Sequence, residues 1–195
     1  QGSYNVQGPN ICVGPDHSVY AFWYDQSAGA GTAPFMKVSK STDQGVSFAA
    51  AVNVASLTVT ATNGDLSLGF RSNAFPQTAV NPVNGNIYVV YNDKGTSGDR
   101  ADVFFTQSTT GGSSWISPIK INDDGTSRDQ FMPTLAVRPD GTGLCITWYD
   151  RRLDAANTLI DRYGIIGNII GNNIHGVRQT GQNSTGVIYC YRSLI

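Results

Sequence analysis

The chain contains no glutamate: all fourteen of its acidic residues are aspartates. It is poor in charge altogether, with 14% Asp, Glu, Lys and Arg and a net charge of −1. No Lys/Arg run is longer than Arg151-Arg152. This excludes the concentrated positive footprint with which proteins hold nucleic acids and anionic membrane surfaces. No apolar stretch approaches the roughly 18 residues that span a bilayer, and no charged-then-apolar leader opens the chain at Gln1. The N-terminus is expected to be a processed or truncated end. Cysteine is scarce too: Cys12, Cys145 and Cys190 cannot all pair within one chain. Two of them sit in apolar strand contexts, where core packing is expected rather than a Cys12–Cys145 disulfide. His17 and His175 are isolated, without the partners that zinc or a catalytic triad needs.

Glycine is abundant, with 22 residues, beside 8 prolines and many Ser, Thr and Asn. That composition gives short strands joined by tight turns, an all-β fold, and the length suits one domain. A repeat runs through it. Pro9-Asn10-Ile11-Cys12-Val13-Gly14-Pro15 returns as Pro76-Gln77-Thr78-Ala79-Val80-Asn81-Pro82 and as Pro133-Thr134-Leu135-Ala136-Val137-Arg138-Pro139. Each copy leads to an aromatic strand closed by an aspartate: Trp23-Tyr24-Asp25, Tyr91-Asn92-Asp93 and Trp148-Tyr149-Asp150. Proline presets φ, and Asp-Gly or Asn-Gly supplies the positive φ of a hairpin turn, so each unit begins with two antiparallel strands. A third and a short fourth strand follow. Four-stranded repeats of this period stack radially, predicting a β-propeller with about three blades. They run at about 5–56, 72–123 and 129–195, the last atypical in its C-terminal part. An insertion near 57–68 separates the first two, and a hairpin turning at Asn172 and a last strand over 187–191 are expected in the third.

The turn after the first unit's third strand reads Ser41-Thr42-Asp43-Gln44-Gly45-Val46-Ser47-Phe48. The second unit has Ser108-Thr109-Thr110-Gly111-Gly112-Ser113-Ser114-Trp115, with threonine in place of the aspartate. Serine and aspartate can bind turn amides, glycine permits positive φ, and the aromatic is expected to pack under the blade. A structural role is therefore assigned to Ser41, Asp43, Gly45, Phe48, Ser108, Gly112 and Trp115. The pattern is an Asp-box, and the chain resembles the sialidase (neuraminidase) superfamily with its BNR/Asp-box repeats. The resemblance implies a six-bladed propeller, of which this chain is a part, within a secreted or cell-surface protein.

The resemblance also implies a ligand site near the propeller axis, on the face formed by the B–C loops and the crossings between blades. On that face it selects Arg71, Arg128, Asp129, Asp150, Arg151 and Arg152 as ligand-binding candidates, because family sialidases hold a carboxylate with guanidinium forks. The family's nucleophilic tyrosine is activated by a glutamate, which this chain lacks. No complete catalytic set is present and no catalytic residue is assigned. Asn122-Asp123-Asp124-Gly125 with Asp129 offers oxygen ligands, but in a spacing that fits no calcium loop; neither metal nor cofactor is expected. Two functions stand side by side: a segment of a sialidase-like exo-glycosidase, or a non-catalytic module that binds a glycan or an extracellular protein. Self-association or further blades would complete the ring.

Overall fold

The computed structural model describes residues 6–27, 32–58, 66, 72–94, 99–170, 173–182 and 188–190, with side chains as far as residue 169. Arg71, the Asn172 turn and most of the 57–68 insertion lie outside the described residues. Among the described residues every regular element is a strand, and no helix is long and apolar enough to cross a membrane.

The first sheet runs in the order β1 (Val6–Val13), β2 (Val19–Asp25), β3 (Phe35–Ser41), β4 (Val52–Ser56), all antiparallel. The second repeats it with β5 (Gln77–Val80), β6 (Ile87–Asp93), β7 (Asp102–Ser108) and β8 (Ile119–Lys120). The third begins in the same way with β9 (Gln130–Val137), β10 (Gly143–Asp150) and β11 (Asp161–Ile170), then adds β12 (Asn173–Gln182) and β13 (Ile188–Cys190). It has five strands rather than four. No Asp-box turn stops β11, so it runs on and pairs along β12 in a long hairpin.

Alternation along the middle strands sets how the sheets stack. Tyr20, Phe22 and Tyr24, on one side of β2, form a core cluster with Ile87, Val89 and Tyr91 of β6. Tyr88 and Val90, on the other side of β6, cluster with Leu144, Ile146 and Trp148 of β10. All seven residues of β6 are buried, as expected of a sheet covered on both faces. Each sheet thus has a forward face toward the next sheet and a rearward face toward the one before. The first strands β1, β5 and β9 lie against one another in succession, so the sheets converge on that side. The chain forms three blades of a β-propeller.

The turns follow the residue chemistry. In the first Asp-box, Ser41 Oγ accepts from the Gly45 amide at 2.8 Å and Asp43 Oδ1 accepts from the Ser47 amide at 2.8 Å. In the second, Ser108 Oγ accepts from Gly112 N at 2.9 Å, and Thr110 Oγ1 takes the Ser114 amide at 3.0 Å in the place of the carboxylate. Trp115 then meets Phe22 of the first blade edge-on, with ring centroids 5.9 Å apart. Phe48 departs from the expected packing: it is 46% exposed. The Trp115 contact explains why, since this aromatic packs on the preceding blade, and none of the described blades precedes the first.

A further regularity sits at the start of the first strand. Gly8 has φ of 61° and Met132 φ of 49°, each one residue before the repeat's proline, and each marks a shift of register against the neighbouring strand. Only glycine enters this left-handed region without steric cost. At Gly8 a Cβ would also stand 2.3 Å from the Phe75 ring of the second blade.

Candidate functional site: the polar seam between the second and third blades

The β6–β7 loop of the second blade, its β8–β9 crossing and the β10–β11 loop of the third blade meet on the face selected from sequence. The aspartates that close β2, β6 and β10 hold their turns there. Asp25 accepts from Ser27 N at 2.7 Å, Asp93 from Lys94 N at 2.8 Å, and Asp150 from Arg152 N at 2.8 Å. Beyond that shared duty they differ. Asp25 pairs with Lys37 at 2.7 Å, which, against a larger opposing effect of burial, holds its carboxyl down near 2 together with the Ser27 bonds. Asp93 receives the Thr58 amide at 2.9 Å, tying the second blade to the chain leaving the first.

Asp150 is completely buried. It accepts from the Trp148 indole at 2.9 Å, the Arg152 Nε at 2.9 Å and the Gln130 amide at 3.3 Å. Arg152 carries the link across the seam to Asp123 at 2.7 Å, with its guanidinium 4.1 Å from the centre of the Tyr163 ring. Asp129, also completely buried, accepts from Arg100 N at 3.0 Å, Asn157 Nδ2 at 3.0 Å and Arg151 Nη1 at 3.4 Å. Arg151 is itself buried and lies 5.1 Å from the centre of the Phe131 ring. Arg128 donates from Nε to the Asp154 carbonyl at 3.0 Å and from Nη1 to Ser127 Oγ at 3.3 Å. Five sequence candidates, Arg128, Asp129, Asp150, Arg151 and Arg152, therefore gather at this seam, each bonded within the protein. Arg71 lies outside the described residues.

Sequence reasoning missed two carboxyl groups. Asn122 Nδ2 stands 2.6 Å from Asp102 Oδ1, 2.8 Å from Asp124 and 2.9 Å from Gln130, while Lys120 reaches Asp102 Oδ1 at 3.3 Å. Among the described residues Asp102 Oδ2 has no hydrogen-bond partner, and neither oxygen of Asp99 has one, although Asp99 is only 3% exposed. Burial first, and then the charge of Asp102, pushes the Asp99 carboxyl up to about 7, against an opposing pull from Lys120. A buried acid without hydrogen bonds keeps its proton because the charged form is poorly solvated. The available signal was Asp99-Arg100-Ala101-Asp102, one aspartate at the end of a B–C loop and one opening the next strand, on the expected ligand face. Among the described residues no group of His, Cys and Asp side chains is arranged to hold a metal ion.

Beside this seam a pocket of about 140 Å³ lies between the first strands, lined by Asn73, Phe75, Gln77, Asn92, Met132 and Pro133. Asn92 Oδ1 fixes the left-handed Met132 by accepting its amide at 3.0 Å. No family model matches the chain, and no curated protein matches its sequence. Solved structures do. The Hadza microbial sialidase Hz136 superposes with a TM-score of 0.54 at 14% identity, over 93% of this chain and 42% of its own. The α-L-arabinofuranosidase Arb93A of Fusarium graminearum gives 0.52 at 12% identity, over 93% of this chain and 54% of its own. A thermostable family-43 glycoside hydrolase gives 0.51 at 13%, over 87% and 56%. The chain has the fold of propeller glycoside hydrolases. It spans about half the length of these neighbours, and likeness at such identity extends to sialidases and arabinofuranosidases alike, without selecting the sialidase superfamily.

Proposed function

We propose that the chain is the catalytic-side segment of a glycan-processing propeller, with Asp99 as the proton donor to a glycosidic oxygen. The observation that carries the reading is the Asp99 carboxyl itself: buried, without hydrogen bonds, and protonated up to about neutral pH. An acid of that kind is still protonated near the working pH, as general acid catalysis needs; both its oxygens are covered in this structure, so the reading requires that cover to open when a substrate binds. Asp102, held by Lys120 and Asn122, is a positioning residue whose charge helps keep Asp99 protonated. Glycoside hydrolysis uses paired carboxyl groups and accepts aspartate in either role, so the lack of glutamate leaves this chemistry available. The structural neighbours, a sialidase, an arabinofuranosidase and a family-43 glycoside hydrolase, support a glycan as the ligand, and a secreted or cell-surface location belongs to the same reading.

The test is hydrolysis of a panel of aryl glycosides, including α-sialosides and α-L-arabinofuranosides, by the wild-type protein and by Asp99→Asn. Cleavage of at least one substrate is expected, falling about a hundredfold or more in the variant, with a wild-type rate that declines as pH rises through about 7. Failure with every substrate, or an unaffected variant, refutes the assignment. A second reading, a binding module without catalysis, is favoured by one observation: Arg128, Arg151 and Arg152 are all engaged within the protein. Saturable glycan binding without turnover, undiminished in Asp99→Asn, would support it.

A further inference from the structure

The Asp-box turn of the second blade closes the end of β7 away from Asp99. Between that turn and the sheet of the first blade lies a cleft of about 190 Å³. Val38, Ala50 and Val52 make its apolar wall, and Tyr20 and Lys40 its polar end. The two polar residues are neighbours in the register of β2 on β3, with the Lys40 ammonium 5.3 Å from the centre of the Tyr20 ring. Gly111 stands over both: a Cβ there would lie 3.3 Å from Lys40 Nζ and 3.6 Å from the Tyr20 hydroxyl oxygen. Its bare Cα, at a left-handed φ of 61°, leaves the space between them open.

Tyr20 is only 2% exposed, yet among the described residues its hydroxyl has no hydrogen-bond partner. A buried tyrosine ordinarily finds one. Its counterpart in the second blade does: Tyr88, 1% exposed, accepts from Asn81 Nδ2 at 3.5 Å. The cross-strand neighbour differs too, being Lys40 beside Tyr20 and Gln107 beside Tyr88. Lys40 comes no nearer than 3.9 Å to Asp16, whose two oxygens already accept from the Ser18 amide and hydroxyl. The second Asp-box brings no carboxylate to the cleft, since Thr110 stands where the first has Asp43. Two donors thus converge on a space with apolar walls.

We propose that this cleft binds a small aliphatic carboxylate. The carboxylate accepts from the Lys40 ammonium and the Tyr20 hydroxyl, and the alkyl chain lies against Val38, Ala50 and Val52. Hydrogen bonds from such donors to an anion are among the strong ones. The volume is that of about six water molecules, so a chain of about four carbons fills it. Gly111 and Gly112 of the second blade form the opposite wall. A bound ligand therefore touches two blades and stabilises their junction. The site is separate from Asp99 and does not depend on the role given to that residue.

The test is titration of the 195-residue protein with sodium butyrate, read from the amide resonances of Gly111 and Gly112 by nuclear magnetic resonance. Saturable shifts are expected, half-complete in roughly the millimolar range open to so small a ligand, together with a rise in melting temperature. Sodium chloride at the same ionic strength should not reproduce them. Butyramide, which has the same shape without the charge, should bind at least about tenfold more weakly. Tyr20→Phe and Lys40→Met should each weaken butyrate binding about tenfold, as loss of a hydrogen bond to a charged group does. Tyr20→Phe should leave the stability of the unliganded protein unchanged, because it removes only an unbonded hydroxyl. Shifts that never saturate or that chloride reproduces, equal binding of butyramide, or full affinity in either variant would each overturn the proposal. Should Lys40→Met disturb the fold, Lys40→Gln and the butyramide comparison give the same decision.

Discussion

Replacing Asp99 by asparagine removes the proton but little of the shape, and its effect on stability has a defined sign. The ordinary value of 3.8 rises to about 7 in the folded chain. Folding therefore favours the protonated acid, and its contribution is fully present below the ordinary value and disappears as pH rises through about 7. At about 1.4 kcal/mol per unit the difference sets a ceiling of about 4 kcal/mol. Roughly 1.5 of that has gone by pH 5, and somewhat over 2 kcal/mol goes between about pH 5 and pH 8.5. Asparagine does not titrate, so in urea unfolding the stability advantage of Asp99→Asn over the wild type should widen by somewhat over 2 kcal/mol between about pH 5 and pH 8.5. Asp93 and Asp161, whose carboxyls burial also raises, are common to both proteins and cancel in the comparison. Asp25 and Asp43, both held near 2, titrate well below the window. Parallel pH profiles for the two proteins would refute the account of Asp99 as a buried, unsolvated acid.

Gly8→Ala should destabilise the chain by more than about 2 kcal/mol in chemical denaturation, because the new methyl meets the Phe75 ring at 2.3 Å and the backbone is left-handed; a loss below about 0.5 kcal/mol would show that this bulge is not tightly packed. Arg151→Met removes the buried guanidinium 3.4 Å from the Asp129 carboxylate and should cost about 3 kcal/mol or more. The double variant Arg151→Met/Asp129→Asn should recover much of that loss; equal losses in the single and double variants would count against a coupled pair.

The repeat made the architecture legible. Pro9, Pro76 and Pro133 align three first strands, and Asp25, Asp93 and Asp150 mark the ends of three second strands, each holding its turn through a nearby amide. Turn chemistry is local, so a local reading reaches it. The bonding within the candidate site was much less legible. Arg128, Arg151 and Arg152 stand on the expected face, yet what each guanidinium does depends on Asp154, Asp129 and Asp123, contributed by other loops. Asp99 is the extreme case. The charge of Asp102 that helps to hold its proton lies three residues along the chain, but the burial that acts first is a product of folding and leaves no mark in the neighbouring residues. Phe48 and Trp115 are equivalent in sequence, and only the presence of a preceding blade separates a packed ring from an exposed one.

The two junctions between blades are made of different material. The first is aromatic, with Phe22 against Trp115 and Tyr24 against Phe75. The second adds to its apolar core a web of carboxylates, guanidinium groups and amides running from Asp102 to Asp150. Both joints rest on apolar packing, and only the one before the third blade also depends on charged pairs, so the two are joined with different directional demands: shape alone at the first, and the placing of individual hydrogen-bonding atoms at the second.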